Sequence, residues 1–456
     1  MLFKKTTLAA ACLVGVASGA TLDVTNKAAL GDATHKAVSN LVSLYSAEKQ
    51  AGKTTEGAFD QANVSWYVSG IIWGMVFDNS KYNGDRAQDN VAGSAMLEAT
   101  FKETGDLLGG PQRTVQEKLR GKWNDDLGWW ALSMMSAVEA YDKNVYIPGG
   151  AKFLDVAALT WNEILEQWDE TTCNGGIYWS RNREDPSPNK RTFKSVITHS
   201  QFVELGARLS IATGNTTYLN WSDKVYNWMK TSGLVTADWA VLDGANAPTC
   251  TQVDRTEWSY NAGTLMGALA YMYKATKMAT YMDDAKKLLP AAVGKFTQNG
   301  IIIEPVCTTT PAMCGRDTPA SMPQFAKGLS QLYLEGDAAM KQQIQTVIDT
   351  TLTSAIRNCN NDWWCNKEWQ QTAAPAQDVY NQYPTAELLV AASAIHGASA
   401  PAGTQNGLPS GPSSASNNNN SNNKNSGTSG ALGGSPTGLT WAAGAAVAAG
   451  VTFFLV

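Results

Sequence analysis

The sequence predicts an all-α protein, an (α/α)6 barrel of six helical hairpins. Two observations carry this expectation. Apolar residues recur at three- and four-residue spacing through twelve separate stretches of the 456-residue chain. The stretches also alternate: every second one gathers glycines and aromatics near its start, and those between carry a polar face. A helix packed on all sides needs small residues for close approach, whereas one facing water needs only an apolar stripe. The alternation therefore reads as an inner and an outer ring. Periodicity leaves an irregular helical bundle or a solenoid open as the alternative.

The first helix spans 33–49, with Ala37, Leu41, Leu44 and Tyr45 on one face. The second, 61–78, carries Trp66, Tyr67, Gly70, Trp73 and Gly74. The third, 86–104, is faced by Val91, Ala95, Leu97 and Phe101, and the fourth, 126–142, follows an aspartate pair. The fifth, 150–168, presents Phe153, Ala157, Trp161, Leu165 and Trp168. The remaining helices are expected at 196–213, 217–230, 257–276, 280–296, 318–334, 337–358 and 381–397, with a short strand-like segment at 300–304. In a barrel of this kind the loops before the even-numbered helices meet at one mouth and form a cleft.

The two ends of the chain read as processing signals. Met1-Leu2-Phe3-Lys4-Lys5, the apolar run Leu8 to Val16 and the small residues Ala17-Ser18-Gly19-Ala20 form a secretory signal peptide over 1–20, cleaved after Gly19 or Ala20. Leu439 to Val456 is an uncharged apolar tail behind a polar spacer, itself behind the small residues Asn425-Ser426-Gly427. That order is the signal for a glycosylphosphatidylinositol (GPI) anchor, whose tail is removed. With no Lys or Arg after the tail, the anchor is favoured over a transmembrane helix. Asn425 is the expected attachment residue, with Ser426 and Gly427 as alternates. The domains are then a folded unit over 21–397, a Ser/Asn-rich stalk over 398–425 and a removed segment over 426–456. The expected destination is the outer face of the plasma membrane and the cell wall, with the membrane contacted through the lipid.

Of seven cysteines, six follow the signal peptide, and an even number in a secreted chain points to disulfides. Short loops favour Cys307–Cys314 and Cys359–Cys365, which leaves Cys173–Cys250. Sequons stand at Asn63, Asn215, Asn220 and Asn419. Net charge is −5 and there is no basic block, so nucleic acid is not an expected partner. The three histidines, His35, His199 and His396, have no metal-ligand spacing. Neither a phosphate-cradling loop nor a Gly-Xaa-Ser-Xaa-Gly elbow occurs. No metal or cofactor is expected, and the chain is expected to be a monomer.

The chemistry concentrates in Trp123-Asn124-Asp125-Asp126-Leu127-Gly128-Trp129-Trp130. Paired carboxylates carry out general acid/base and nucleophilic work on glycosidic bonds, and aromatic rings stack on sugar faces. The competing reading is that Asp125 and Asp126 cap the helix that follows and the tryptophans are core. Trp123, Trp130, Trp179, Asp243, Tyr260 and Asn261 are candidate sugar contacts. His199 joins them as a contact or else as a buried hydrogen-bonded residue.

Several stretches resemble glycoside hydrolase family 76, the endo-α-1,6-mannanases, and its GPI-anchored fungal wall members in particular. They are Asn124-Asp125-Asp126 with Trp130, Cys173-Asn174-Gly175-Gly176-Ile177-Tyr178-Trp179, Leu205-Gly206-Ala207-Arg208-Leu209, Val241-Leu242-Asp243-Gly244 and Trp258-Ser259-Tyr260-Asn261-Ala262-Gly263. The resemblance covers about 25–397. It implies a retaining hydrolase on an (α/α)6 barrel, with Asp125 as nucleophile and Asp126 as general acid/base. Two stretches depart from the family's usual pattern. Trp66-Tyr67-Val68-Ser69-Gly70 stands where the family has Trp-Trp-Glu-Ala-Gly, so a carboxylate is missing. Ser195-Val196-Ile197-Thr198-His199-Ser200 replaces Asn-Ser-Ile-Ser-Asn-Gly. Three activities fit: an endo-glycosidase on α-1,6-linked mannose, a transglycosidase moving GPI-anchored glycoproteins onto wall glucan, or a mannan-binding protein without turnover. The implied partner is a mannose polysaccharide or a GPI glycan.

Overall fold

The structure is a computed structural model that describes residues 19–109 and 123–408. Most of the expected signal peptide, the stalk beyond 408, Asn419, Asn425 and the apolar tail lie outside the described residues. Among the described residues twelve long helices run in order: α1 Lys27–Gln50, α2 Trp66–Asn83, α3 Asp89–Ala99, α4 Asn124–Ala140, α5 Phe153–Leu165 and α6 Val196–Thr213, then α7 Thr217–Thr231, α8 Ser259–Thr276, α9 Ala279–Phe296, α10 Ser321–Glu335, α11 Ala338–Ala355 and α12 Val379–His396. The even-numbered helices close a ring, α2 against α4, α6, α8, α10, α12 and back to α2. The odd-numbered helices pack outside it, which makes an (α/α)6 barrel. The hairpins come directly from the two kinds of helix in the sequence. In α6 every residue from Val196 to Ser210 is buried, whereas α7 buries only Ser222, Val225, Tyr226, Trp228 and Met229, essentially one stripe.

Asp125 and Asp126 fall inside the first turn of α4 rather than before it. Among the described residues two small antiparallel sheets decorate the loops. β1 Phe193–Ser195, β2 Gly244–Asn246 and β3 Gln252–Asp254 pair in that order, and β4 Thr297–Gln298 pairs with β5 Ile301–Ile302. The disulfides are Cys173–Cys250, Cys307–Cys314 and Cys359–Cys365, the pairing that the loop lengths favour.

Glycine sets the closest helix contact in the inner ring. A Cβ on Gly328 of α10 would lie 2.0 Å from the Gly263 carbonyl oxygen of α8, and one on Gly263 would lie 2.6 Å from Phe325 Cα. Both obstacles are backbone and cannot swing aside. Gly328→Ala is expected to destabilise the protein by about 1–3 kcal/mol, the usual cost of overpacking, read as a lowered denaturation midpoint. A midpoint equal to wild type would mean that the two helices separate freely.

The end of the ring away from the α4 N-terminus is filled by charge. Arg208 donates to Glu139 at 2.7 Å and to Glu204 at 3.0 Å. Lys81 reaches Glu139 at 2.6 Å, and Lys327 pairs with Asp78 at 2.7 Å. Glu139 is held well below the usual carboxylate range by Arg208 and Lys81, against the effect of its burial.

Residues 399–408, expected as the start of a stalk, pack on the folded unit. The Ser399 amide bonds to the Lys27 carbonyl and the Ala400 amide to that of Asn83, both at 3.0 Å, while the Arg86 amide bonds to the Thr404 carbonyl at 2.9 Å. Leu408 is buried, lying 2.8 Å from where a Gly93 Cβ would stand. A Ser/Gly/Pro composition hid a strap whose backbone supplies most of the contacts and a single leucine the apolar anchor.

Candidate active site

The N-terminal ends of the inner helices meet around a cleft of about 660 Å³. It is lined by Ser65, Trp66 and Tyr67 at and before the start of α2, Trp123, Asp125, Asp126 and Trp129 at and before the start of α4, and Ile197 from α6. Asp243, Trp258 and Tyr260 lie at and before the start of α8, and Arg316, Asp317, Ser321 and Gln324 at and before the start of α10. Helix N-termini carry unpaired N–H groups and a positive dipole end, so this mouth suits carboxylates.

The start of α4 is pinned to the segment that brings Trp179. The Asn124 amide donates to the Trp179 carbonyl at 3.0 Å, and its side chain donates to the Tyr178 carbonyl at 2.7 Å. Arg181 holds the Asn124 side-chain oxygen at 2.9 Å. Trp179 itself reaches β1 through its amide, 2.9 Å from the Phe193 carbonyl. The two aromatic rings, Trp123 and Trp179, then stand with centroids 4.0 Å apart beside the carboxylates.

Burial pushes the Asp125 carboxyl up to about 6, opposed by the Trp179 indole N–H and by the backbone N–H groups of Asp125 and Asp126. Its Oδ1 is buried without a hydrogen-bond partner among the described residues. Asp126 accepts the Trp123 amide at 3.4 Å. The capping reading therefore holds for Asp126 alongside its place in the cleft. A third carboxylate, Asp243, is also pushed up to about 6, first by burial and then by the charges of Asp254 and Asp125. It accepts from Asn261 at 3.0 Å and from the Tyr260 hydroxyl.

Three candidate sugar contacts lie elsewhere. Trp130 is fully buried, stacks on Trp66 and donates its indole N–H to the Trp66 carbonyl at 3.1 Å, so it is core. Gly70 makes room for it, since a Cβ there would meet the indole at 2.7 Å. Asn261 is buried behind Asp243 and acts on the cleft only through that carboxylate. His199 is fully buried: its Nδ1–H donates to the Ser195 carbonyl at 2.6 Å and its Nε2 accepts the Ile177 amide at 2.8 Å. Burial pushes it down to about 3, so it is neutral, and it stacks on Trp228. It positions the Gly175-Gly176-Ile177 turn that leads to Trp179. Trp123, Trp179, Asp243 and Tyr260 do line the cleft.

The missing carboxylate of the second helix does not leave a gap in the cleft. Val68 and Ser69 are both fully buried, and Ser69 Oγ accepts the Phe59 amide at 3.1 Å. Reading by sequence missed Arg316, Asp317 and Gln324, which carry no motif. Asp317 is held by Ser65 at 2.7 Å and by Tyr380, and Arg316 donates to Ser65 at 2.7 Å. The Cys307–Cys314 bridge just before them was the available signal. The Asn63, Asn215 and Asn220 side chains of the sequons are exposed.

The sequence profile of glycosyl hydrolase family 76 matches residues 29–405. The chain belongs to this family. The match covers all twelve inner and outer helices, α1 from its third residue, and most of the strap that closes on Lys27. Among curated relatives, this chain is 28% identical over 400 residues to the mannan endo-1,6-alpha-mannosidase DFG5 of Saccharomyces cerevisiae, covering 85% of this chain and 82% of that one. It is 27% identical to DCW1 of the same yeast, a protein of the same description, over 76% of each chain. The crystal structure of Dfg5 from Chaetomium thermophilum, in complex with glucosamine, superposes with a TM-score of 0.64 at 25% identity, covering 73% of this chain and 81% of that one. The α-1,6-mannanase GH76A of Salegentibacter sp. HEL1_6, in an inactive variant with two adjacent aspartates changed to asparagine and with α-1,6-mannotriose bound, superposes equally well (TM-score 0.64) at 17% identity, over 80% of this chain and 99% of that one. The family is one of glycoside hydrolases.

Proposed function

We propose that this chain is a retaining endo-glycosidase that cleaves α-1,6-linked mannose chains in a fungal cell wall. The observation that carries the reading is the Asp125–Asp126 pair at the first turn of α4, inside an aromatic-lined cleft. Support also comes from the mannan endo-1,6-alpha-mannosidases that align along most of the chain.

In a retaining mechanism Asp126 protonates the leaving glycosidic oxygen while an Asp125 oxygen attacks the anomeric carbon, giving a glycosyl ester on Asp125. Asp126, now a carboxylate, takes a proton from water, which attacks the same carbon and frees Asp125. The Trp179 indole and the helix N–H groups hold Asp125 in place. Asp243, beside Asp125, is an acceptor for a sugar hydroxyl.

The test is incubation of the protein with an α-1,6-mannooligosaccharide, followed by mass and by the anomeric proton signal of fresh products. Shorter oligomers released first as the α-anomer support the reading, and unchanged oligomers refute it. The nucleophile must be ionised, and in the free protein Asp125 is pushed up to about 6. kcat/KM, which reports the free enzyme, is therefore expected to fall as pH drops through about 6. The same limb belongs to the cluster with Asp243, because interacting carboxyls titrate together. A flat profile down to pH 4 would place the nucleophile elsewhere.

Export through the secretory pathway and GPI attachment at Asn425 complete the proposal. Release of the protein from intact cells by a phosphatidylinositol-specific phospholipase is the check.

A further inference from the structure

The exposed sequon asparagines stand at opposite ends of the barrel. Asn215 and Asn220 lie at the turn from α6 into α7, where the inner helices end and away from the cleft. Asn63 lies just before α2, at the mouth. Gln61 and Ser65, two residues to either side of it, both line the cleft. Consecutive Cα atoms are about 3.8 Å apart, so the Asn63 Cα stands within about 7.6 Å of each.

This stretch of the rim is fastened on both sides. The Asp60 carbonyl accepts the amides of Asn63 and Val64 at 2.8 and 2.9 Å, and Asp60 Oδ1 accepts the Ala62 amide at 3.0 Å. The Asp60 amide in turn donates to Glu48 Oε2 of α1 at 2.7 Å. From the other side Arg316 donates to the Ala62 carbonyl at 2.9 Å and to Ser65 Oγ at 2.7 Å, which ties the turn to the loop before α10. The Asn63 side chain is held too, because its Nδ2 donates to Asp60 Oδ2 at 3.1 Å. An amide nitrogen carries two N–H groups, and glycosylation replaces one of them, so the other can keep this bond. A sugar on Asn63 is therefore rooted on a fixed rim by a held side chain.

We propose that Asn63 is a modification site whose N-linked glycan overhangs the cleft and selects substrates by size, admitting short mannose chains and hindering the body of a long polymer. The proposal rests on the reading of the cleft as a mannan site and on export through the secretory pathway. The donor is an oligosaccharide joined to a lipid pyrophosphate. Asn63 Nδ2 forms a bond to the anomeric carbon of the first sugar. The bond from that carbon to the phosphate oxygen breaks, the lipid pyrophosphate leaves, and one amide proton passes to a base. Transfer takes place on the unfolded chain, before Ser65 engages Asp317 and Arg316. The attached glycan is bulky and hydrophilic, so it stays in solvent and excludes other chains from the volume it sweeps. A trisaccharide fits beneath it within the cleft, whereas a polymer must run out over the rim.

The test uses the full chain purified from a fungal host. The mass of a peptide covering 60–65 is expected to include a glycan, and an unmodified Asn63 overturns the proposal. kcat/KM is then compared for α-1,6-mannotriose and for an unbranched polymeric α-1,6-mannan. Asn63→Gln is expected to raise the polymer-to-trisaccharide ratio by about fivefold or more, with turnover of the trisaccharide as in wild type. Trimming the folded wild-type protein to single N-acetylglucosamine stubs with an endoglycosidase changes no residue and is expected to raise the ratio alike. The same trimming should add nothing to Asn63→Gln. Asn215→Gln, at the far end of the barrel, should leave the ratio unchanged. A ratio that neither Asn63→Gln nor trimming alters overturns the proposal, as does an equal rise in Asn215→Gln. Those outcomes leave turnover of the trisaccharide intact. Failure of the cleft reading, and of this proposal with it, would instead show as no turnover of either substrate by any form of the protein.

Discussion

Asp125→Asn and Asp126→Asn are each expected to lower turnover of an α-1,6-mannooligosaccharide by at least about 10³-fold, within the range for losing a catalytic acid, base or nucleophile. The fold should survive both changes. Asparagine at 126 still offers an oxygen to the Trp123 amide, so the helix keeps its cap. At 125 the sign for stability is opposite to that of an ordinary paired carboxylate. Burial raises Asp125 to about 6 in the folded protein, above the unfolded value near 3.9. The folded state therefore holds its proton more tightly. A stability penalty is absent below about pH 4, accumulates as pH rises towards 6 and is complete above it. Asp125→Asn removes that penalty, so its melting temperature at pH 7 should equal or exceed that of wild type, and at pH 4 the advantage should vanish. Turnover in either variant near the wild-type level would refute the assignment. Loss of the helical circular dichroism signal would show that the pair serves the fold instead.

Arg208→Leu is expected to cost about 3–5 kcal/mol of stability, the range for breaking a buried ion pair from one side. The Arg208 side chain is 1% exposed and lies between Glu139 and Glu204. Without it Glu139 keeps Lys81 and the Tyr271 hydroxyl, but Glu204 is left with the Gln331 amide at 3.1 Å. The stranded charge is therefore at Glu204, whose carboxyl burial already pushes up. Adding Glu204→Gln to Arg208→Leu should recover much of the loss, because a neutral amide tolerates burial better than an unpaired carboxylate. Denaturant midpoints of the two single variants and the double variant at neutral pH check this. A loss under about 1 kcal/mol for Arg208→Leu would mean that the network contributes little net stability.

The network marks a boundary in what the chain disclosed before its structure. Arg208 stood out only as part of a family-like stretch. Its other partner, Glu139, comes from a different helix 69 residues away. Sequence periodicity records which face of a helix is apolar and says nothing of polar groups that satisfy each other across the ring. His199 is the same case. Both its ring nitrogens are paired within a fully buried turn, and a histidine near a cleft reads the same way in sequence whether it faces in or out. Asn261 also differs from Tyr260 only in direction, because successive residues of a helix point about 100° apart, whereas Trp130 differs from Trp123 in depth, lying about two turns inside the helix that Trp123 precedes.

The helices, their pairing into two rings and the disulfides were legible because each rests on local chemistry: apolar spacing, glycine content and short loops between cysteines. The adjacency of Asp125 and Asp126 was legible for the same reason, being covalent. The surroundings that give them their character were not. Trp179 reaches Asp125 through the Asn124 and Arg181 bonds, Asp243 through the β1–β2–β3 sheet, and Arg316 and Asp317 from beyond a disulfide loop. These contacts close loops of tens to hundreds of residues. Their existence depends on the ring closing, which α12 completes by packing back on α2.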